Sequence, residues 1–135
     1  MANATILLID DEEGFREIVK TKLLALHFAV VEAKNGKEAL IKARETKPDF
    51  IVSDVAMPEM DGISMVREMK KDPVLKSIGV VLFSSYVDDR AENHATEKVE
   101  AIKEGALDVL PKTADLDKLI QGVVTNYENQ RSIEG

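Results

Sequence analysis

Four sets of residues could do chemistry. Asp10-Asp11-Glu12 follow a short apolar run, Asp54 follows a second, Ser84-Ser85 follow a third, and Lys112 stands just past a fourth. Singly, each has an ordinary explanation. An aspartate after a strand is commonly a turn former or helix N-cap, Ser84 a cap, and Lys112 solvated surface. Gathered at one place they mean more, because clustered carboxylates repel one another unless something cationic neutralises them. A lysine and a Mg²⁺ ion would do so, since magnesium takes one or two carboxylates together with waters and phosphate oxygens. That set suits phosphate chemistry on a metal, and carboxylates themselves accept phosphoryl groups as acyl phosphates.

The elements that must bring these residues together are legible as apolar runs alternating with helical periodicity. The strand candidates are "TILLI" (5–9), "AVVEA" (29–33), "DFIVS" (49–53), "IGVVLFS" (78–84) and "DVL" (108–110). The first, third and fourth are nearly continuous in apolar residues, as parallel strands covered on both faces are. Between them, apolar residues recur at spacings of three and four: Phe15, Ile18, Val19, Leu23 and Leu26; Ala39, Leu40 and Ala43; Ile63, Val66 and Met69; Ala91, Ala95, Val99 and Ile102; Leu116, Leu119, Ile120 and Val123. Gly36, Gly105 and Pro48 punctuate the joins. Met57, Met60, Met65 and Met69 read as fillers of core and loop gaps.

Such alternation predicts an α/β domain with a parallel five-stranded sheet and helices on both faces. In a doubly wound sheet every strand delivers its C-terminal end to one rim, where ligands bind. All four chemical sets fall at that rim, while the second strand adds only Ala33-Lys34-Asn35. Asp54, at the end of the central strand, is the best-placed nucleophile.

Composition narrows the field further. The chain has 135 residues, 44% hydrophobic and 32% charged, which fits one soluble domain. A net charge of −7 without a basic run argues against nucleic-acid binding. With no cysteine, disulfides, thiolate catalysis and cysteine-held metals are excluded. Neither GxxxxGK[ST] nor GxGxxG occurs, so nucleotide binding has no support. His27 and His94 lie away from the strand ends and read as surface or helix-end residues. There is no signal-peptide pattern and no apolar stretch of ~18 residues, so a cytoplasmic protein that does not engage a membrane is expected. A single domain over 1–131 is expected, with 132–135 as a frayed tail or cloning remnant.

The order and spacing of "ILLIDDEEGFREIV", "DFIVSDVAMPEMDG", "VVLFSSY" and "EGALDVLPKTADLDKL" resemble the receiver domain of two-component response regulators, over essentially the whole chain. The resemblance implies a flavodoxin-like (βα)5 fold with strand order 2-1-3-4-5. It implies Asp54 as phosphoacceptor and Mg²⁺, or Mn²⁺ in its place, held by Asp11, Asp54 and the Ala56 carbonyl, with Asp10 acting through water. Ser84, Ser85 and Lys112 would contact the phosphoryl group and move with it. The donor would be a phosphohistidine of a sensor histidine kinase or phosphotransfer protein. The output would be a changed surface on the fourth helix, fifth strand and fifth helix, read by an effector domain or protein or by a second copy of the chain. The domain would be regulatory, assisting only its own phosphorylation and dephosphorylation.

The chain departs from the family pattern in several places. Val109 stands where many receivers carry a switch aromatic. Pro111 precedes Lys112 instead of following it, which disfavours a cis peptide after the lysine. Ser85 replaces a common alanine, and the Val87–Glu104 segment is longer than usual. Ala56 cannot orient an attacking water and Tyr86 would shield the phosphoryl group, so slow autodephosphorylation is expected. The alternative within this fold is a pseudo-receiver that binds partners without phosphorylation, although none of its acids and not its lysine is lost. An aspartyl-phosphate hydrolase of the haloacid dehalogenase type would need an acid at position 56, and a flavin site would need a Ser/Thr/Gly-rich loop after the first strand.

Overall fold

Ile6 and Leu8 enter one apolar cluster, Leu7 and Ile9 another, and all four side chains are completely buried. Alternate residues of a strand point to opposite faces, so this strand is covered on both sides. The computed structural model describes residues 3–85, 92–112 and 115–134. It contains strands β1 (Thr5–Ile9), β2 (Ala29–Ala33), β3 (Phe50–Asp54), β4 (Gly79–Ser84) and β5 (Asp108–Pro111). The helices that alternate with them are α1 (Glu13–Ala25), α2 (Gly36–Thr46), α3 (Gly62–Lys71), α4 (Glu92–Glu104) and α5 (Leu116–Glu134).

The strands form one parallel sheet in the order β2-β1-β3-β4-β5, the flavodoxin-like order expected. One face packs Leu7, Ile9, Ile51, Val80, Leu82 and Val109 against α2, α3 and α4. The other packs Ile6, Leu8, Phe50, Val52, Val81 and Phe83 against α1 and α5. Met65 and Met69 are fully buried and Met57 and Met60 pack against the same cluster, as gap fillers should. The edge strand β5 ends in Pro111, which faces Ser84 in register; an edge position tolerates a residue without an N–H.

Local signals set the helix starts that face the rim. Asn35 caps α2 by accepting the Glu38 N–H at 2.9 Å, and Asp61 caps α3 by accepting the Ser64 N–H at 2.8 Å. Gly105 ends α4 with φ +120°, a conformation that excludes most other residues. α5 runs from Leu116 to Glu134. His27 lies just past α1 with φ 70°, a turn position away from the rim. None of the described helices is long and apolar enough to cross a membrane.

Candidate functional site

The rim is built from the ends of β1, β3, β4 and β5. After β1 the chain turns at Asp10, whose Oδ1 accepts the Glu12 N–H at 2.9 Å. The ordinary turn-forming role of an aspartate is therefore met, and it occupies only one carboxylate oxygen. Oδ2 accepts from Lys112 Nζ at 3.0 Å. Arg16 reaches back from α1 and donates to the Asp10 carbonyl at 2.6 Å, while its Nε donates to Glu32 on β2 at 3.1 Å. Lys20 also donates to Glu32, at 3.0 Å.

Asp54 closes β3, paired with Phe83 of β4, and its Oδ2 accepts from Lys112 Nζ at 3.1 Å. The bend after it is tight. Gly62 donates its N–H to the Val55 carbonyl at 2.8 Å, and a Cβ at Gly62 would collide with the Asp54 carbonyl oxygen. The Asp-Gly pair of "PEMDG" is thus required twice, once as cap and once for close approach. Ala56 is exposed, and its N–H points at Asp54 Oδ1 at 3.4 Å.

β4 and β5 bring the cation. The Lys112 N–H donates to the Ser84 carbonyl at 2.6 Å, which ties the lysine's backbone to the end of β4. Its ammonium bridges both aspartates and stands 4.3 Å above the centre of the Phe15 ring. Ser84 is buried and Ser85 exposed at the same edge. Val109 is buried in the core on the α4 side. Tyr86 and residues 87–91 of the longer segment lie outside the described residues, as does Thr113, the partner in the peptide bond after Lys112.

The electrostatics follow from burial. Asp10 is fully buried and Asp54 nearly so. Burial pushes the Asp54 carboxyl above its ordinary value, opposed by the Lys112 charge and reinforced by Asp10. Burial alone would lower the Lys112 ammonium, but its hydrogen bond to Asp10 and the charges of both aspartates hold it above its ordinary value. Carboxylate oxygens of Asp10, Asp11 and Asp54 lie within 4.8 Å of one another. Among the described residues, three carboxylates against the Lys112 ammonium leave a local deficit of two positive charges. An all-oxygen donor set with that deficit fits a hard divalent cation such as Mg²⁺.

A sequence profile described as "Response regulator receiver domain" matches residues 6–124. The chain belongs to the response regulator receiver family. It is 36% identical over 113 residues to the response regulator PleD of Caulobacter vibrioides, covering 84% of this chain and 24% of that protein. It is 44% identical over 114 residues to a protein-glutamate methylesterase/protein-glutamine glutaminase of Vibrio cholerae, covering 79% of this chain and 27% of that one. The chain therefore spans about a quarter of the length of these two relatives. Among solved structures, a response regulator receiver domain from Francisella matches with TM-score 0.79 at 32% identity, covering 94% of this chain and 98% of that one. The chemotaxis response regulator CheY4 of Vibrio cholerae matches with TM-score 0.81 at 27% identity, covering 92% and 98%.

The structure brings together Asp10, Asp11, Asp54 and Lys112, with Ser84 and Ala56 at their edge. Sequence reasoning passed over Phe15, read only as part of the α1 apolar stripe, and the Arg16–Glu32 pair that holds the Asp10 backbone. Glu32 carried no local signal, because its partners lie on a helix 12 and 16 residues away in sequence.

Proposed function

We propose that this receiver domain takes a phosphoryl group on Asp54 from a phosphohistidine of a partner kinase or phosphotransfer domain. The observation that supports this best is the single Lys112 ammonium joined to two buried carboxylates at the strand ends, with Asp11 beside them. A carboxylate oxygen of Asp54 attacks phosphorus; the P–N bond breaks, the P–O bond forms, and the departing imidazole takes its proton from water. Asp11, Asp54 and the Ala56 carbonyl would hold Mg²⁺, with Asp10 acting through water. When bound, the ion supplies positive charge for the phosphoryl oxygens.

The chain's own residues do the rest by position and charge. The bond to the Ser84 carbonyl and the two aspartates set the Lys112 ammonium where phosphoryl oxygens arrive. The product adds roughly −1.5 to −2 charge and strong acceptor oxygens. Lys112 turns to it from Asp10, and Ser84 and Ser85 donate to it, shifting the ends of β4 and β5. The elements that follow carry exposed apolar groups, Val99 and Ile102 on α4 and Leu107 before β5. That face is where an effector domain, an effector protein or a second copy would read the change. With Val109 buried in the core, the readout does not use an aromatic rotamer there. In this reading the domain is regulatory and turns over no external substrate.

The test is labelling by a small phosphodonor such as acetyl phosphate with Mg²⁺, followed by intact mass. The parent should gain one phosphoryl group and Asp54→Asn none. A parent that remains unlabelled while still binding partners would mean a phosphorylation-independent interaction module.

A further inference from the structure

Phe15 lies outside the set of residues that bear charge or bind metal, yet it touches the lysine ammonium that joins Asp10 and Asp54. Lys112 Nζ stands 4.3 Å from the centre of its ring. The ring is itself fixed: it meets Phe83 edge to face, with centroids 6.0 Å apart at 90°. Phe83 is fully buried and paired in register with Asp54. A continuous stack therefore runs from the β4 core through Phe83 and Phe15 to Lys112, and from Lys112 to Asp10 and Asp54. An aromatic face attracts an ammonium through its quadrupole, more strongly where water is excluded. The Lys112 side chain is only 15% exposed, so the contact is largely shielded from water.

We propose that Phe15 is a positioning residue for Lys112, its π face holding the ammonium over the two carboxylates where an incoming phosphoryl group needs it. The proposal deepens the reading of Asp54 as acceptor and rests on it. An aliphatic residue at position 15 would fill the same space but leave the lysine's flexible four-carbon stem free to swing toward solvent. Phosphoryl transfer would then wait on the lysine's return. This role differs from packing because it depends on the electron density of the ring and not on its volume.

That difference sets the experiment. Phe15 is replaced in turn by its 4-fluoro, 3,5-difluoro and 3,4,5-trifluoro analogues, which drain the ring face with little change of shape. The initial rate of Mg²⁺-dependent labelling by acetyl phosphate is then measured. Rates should fall stepwise, to about five- to tenfold below the parent for the trifluoro ring, the scale of a shielded cation–π contact. Phe15→Tyr should retain the parent rate and Phe15→Leu should not. In the unphosphorylated, metal-free protein, the ε-methylene NMR signal of Lys112 should lie upfield of the other lysines through the ring current, and return to their range in Phe15→Leu. A flat rate series in a parent that labels normally on Asp54 overturns this proposal alone, and so does an unshifted Lys112 signal. A parent that takes no label on Asp54 overturns the acceptor reading, and this proposal with it.

Discussion

Lys112 hydrogen-bonds Asp54 across 58 residues of sequence, Nζ to Oδ2 at 3.1 Å, and only the adjacency of β3, β4 and β5 makes that contact possible. The same ammonium serves buried Asp10 at 3.0 Å. Among the described residues it is the side-chain cation that opposes both carboxylates held out of water, so the site's charge balance turns on it.

Removing that ammonium leaves Asp10 and Asp54 facing each other without it. Breaking a buried ion pair by deleting one partner costs about 3–5 kcal/mol, and the slight exposure of Lys112 trims this to roughly 2–3 kcal/mol for Lys112→Ala. Denaturant unfolding in metal-free buffer measures it. In a double-mutant cycle with Asp54→Asn the loss should shrink, because one of the stranded charges is gone.

The Asp54 carboxyl carries a pH signature of opposite sign to most surface acids. Its native pKa is raised, chiefly by burial and further by Asp10, with Lys112 opposing. In the window between its unfolded and native values the folded state holds the extra proton. Stability is therefore lost as pH rises through that window, and stays lost at neutral pH. In metal-free protein the melting temperature of Asp54→Asn minus that of the parent should grow with pH over this range. At pH 7 the variant should be the more stable of the two, with the higher melting temperature. Added Mg²⁺ should raise the parent's melting temperature and leave the variant's nearly unchanged. A difference that stays constant with pH would contradict the burial argument.

Gly62 is the backbone constraint on Asp54, the proposed acceptor. An added Cβ meets the Asp54 carbonyl oxygen and lies 3.1 Å from Val55 Cα, neither of which is the end of a flexible side chain. Gly62→Ala should destabilise the fold by about 2–3 kcal/mol and slow labelling of Asp54 together. A variant with full stability and full labelling would show that this bend is tolerant.

In the proposed function, Ala56 bears on how long a phosphoryl group on Asp54 would last. It is exposed beside Asp54 and carries no polar side chain to hold a water in line with phosphorus. Ala56→Asn should shorten the acyl-phosphate half-life after donor removal by about three- to tenfold. An unchanged or longer half-life would place control of the lifetime elsewhere.

Most of the fold was legible because burial on both faces leaves a plain mark. β1 and β2 begin and end where their apolar runs do. β3 runs one residue further than its apolar run, since the Asp54–Phe83 pairing continues the ladder into a charged residue. β5 likewise extends to Pro111, a residue that usually argues against a strand but is accommodated at this edge. The charged members of the site were legible for a related reason: an aspartate or lysine at the end of an apolar strand has no packing role to hide behind. Phe15 did, because an aromatic at helical spacing is read as core. Glu32 was missed because its partners sit on α1, and no local pattern encodes a contact between elements.

The central claim is that Asp54, and not its acidic neighbours, carries the phosphoryl group. Borohydride reduces an acyl phosphate to the alcohol and so converts the phosphorylated aspartate to homoserine, leaving free carboxylates untouched. After labelling with acetyl phosphate and Mg²⁺, peptide mass mapping should find homoserine at position 54 and aspartate at positions 10, 11 and 61. Homoserine at position 10 or 11, or at no position in a protein that has taken up phosphate, would contradict the account.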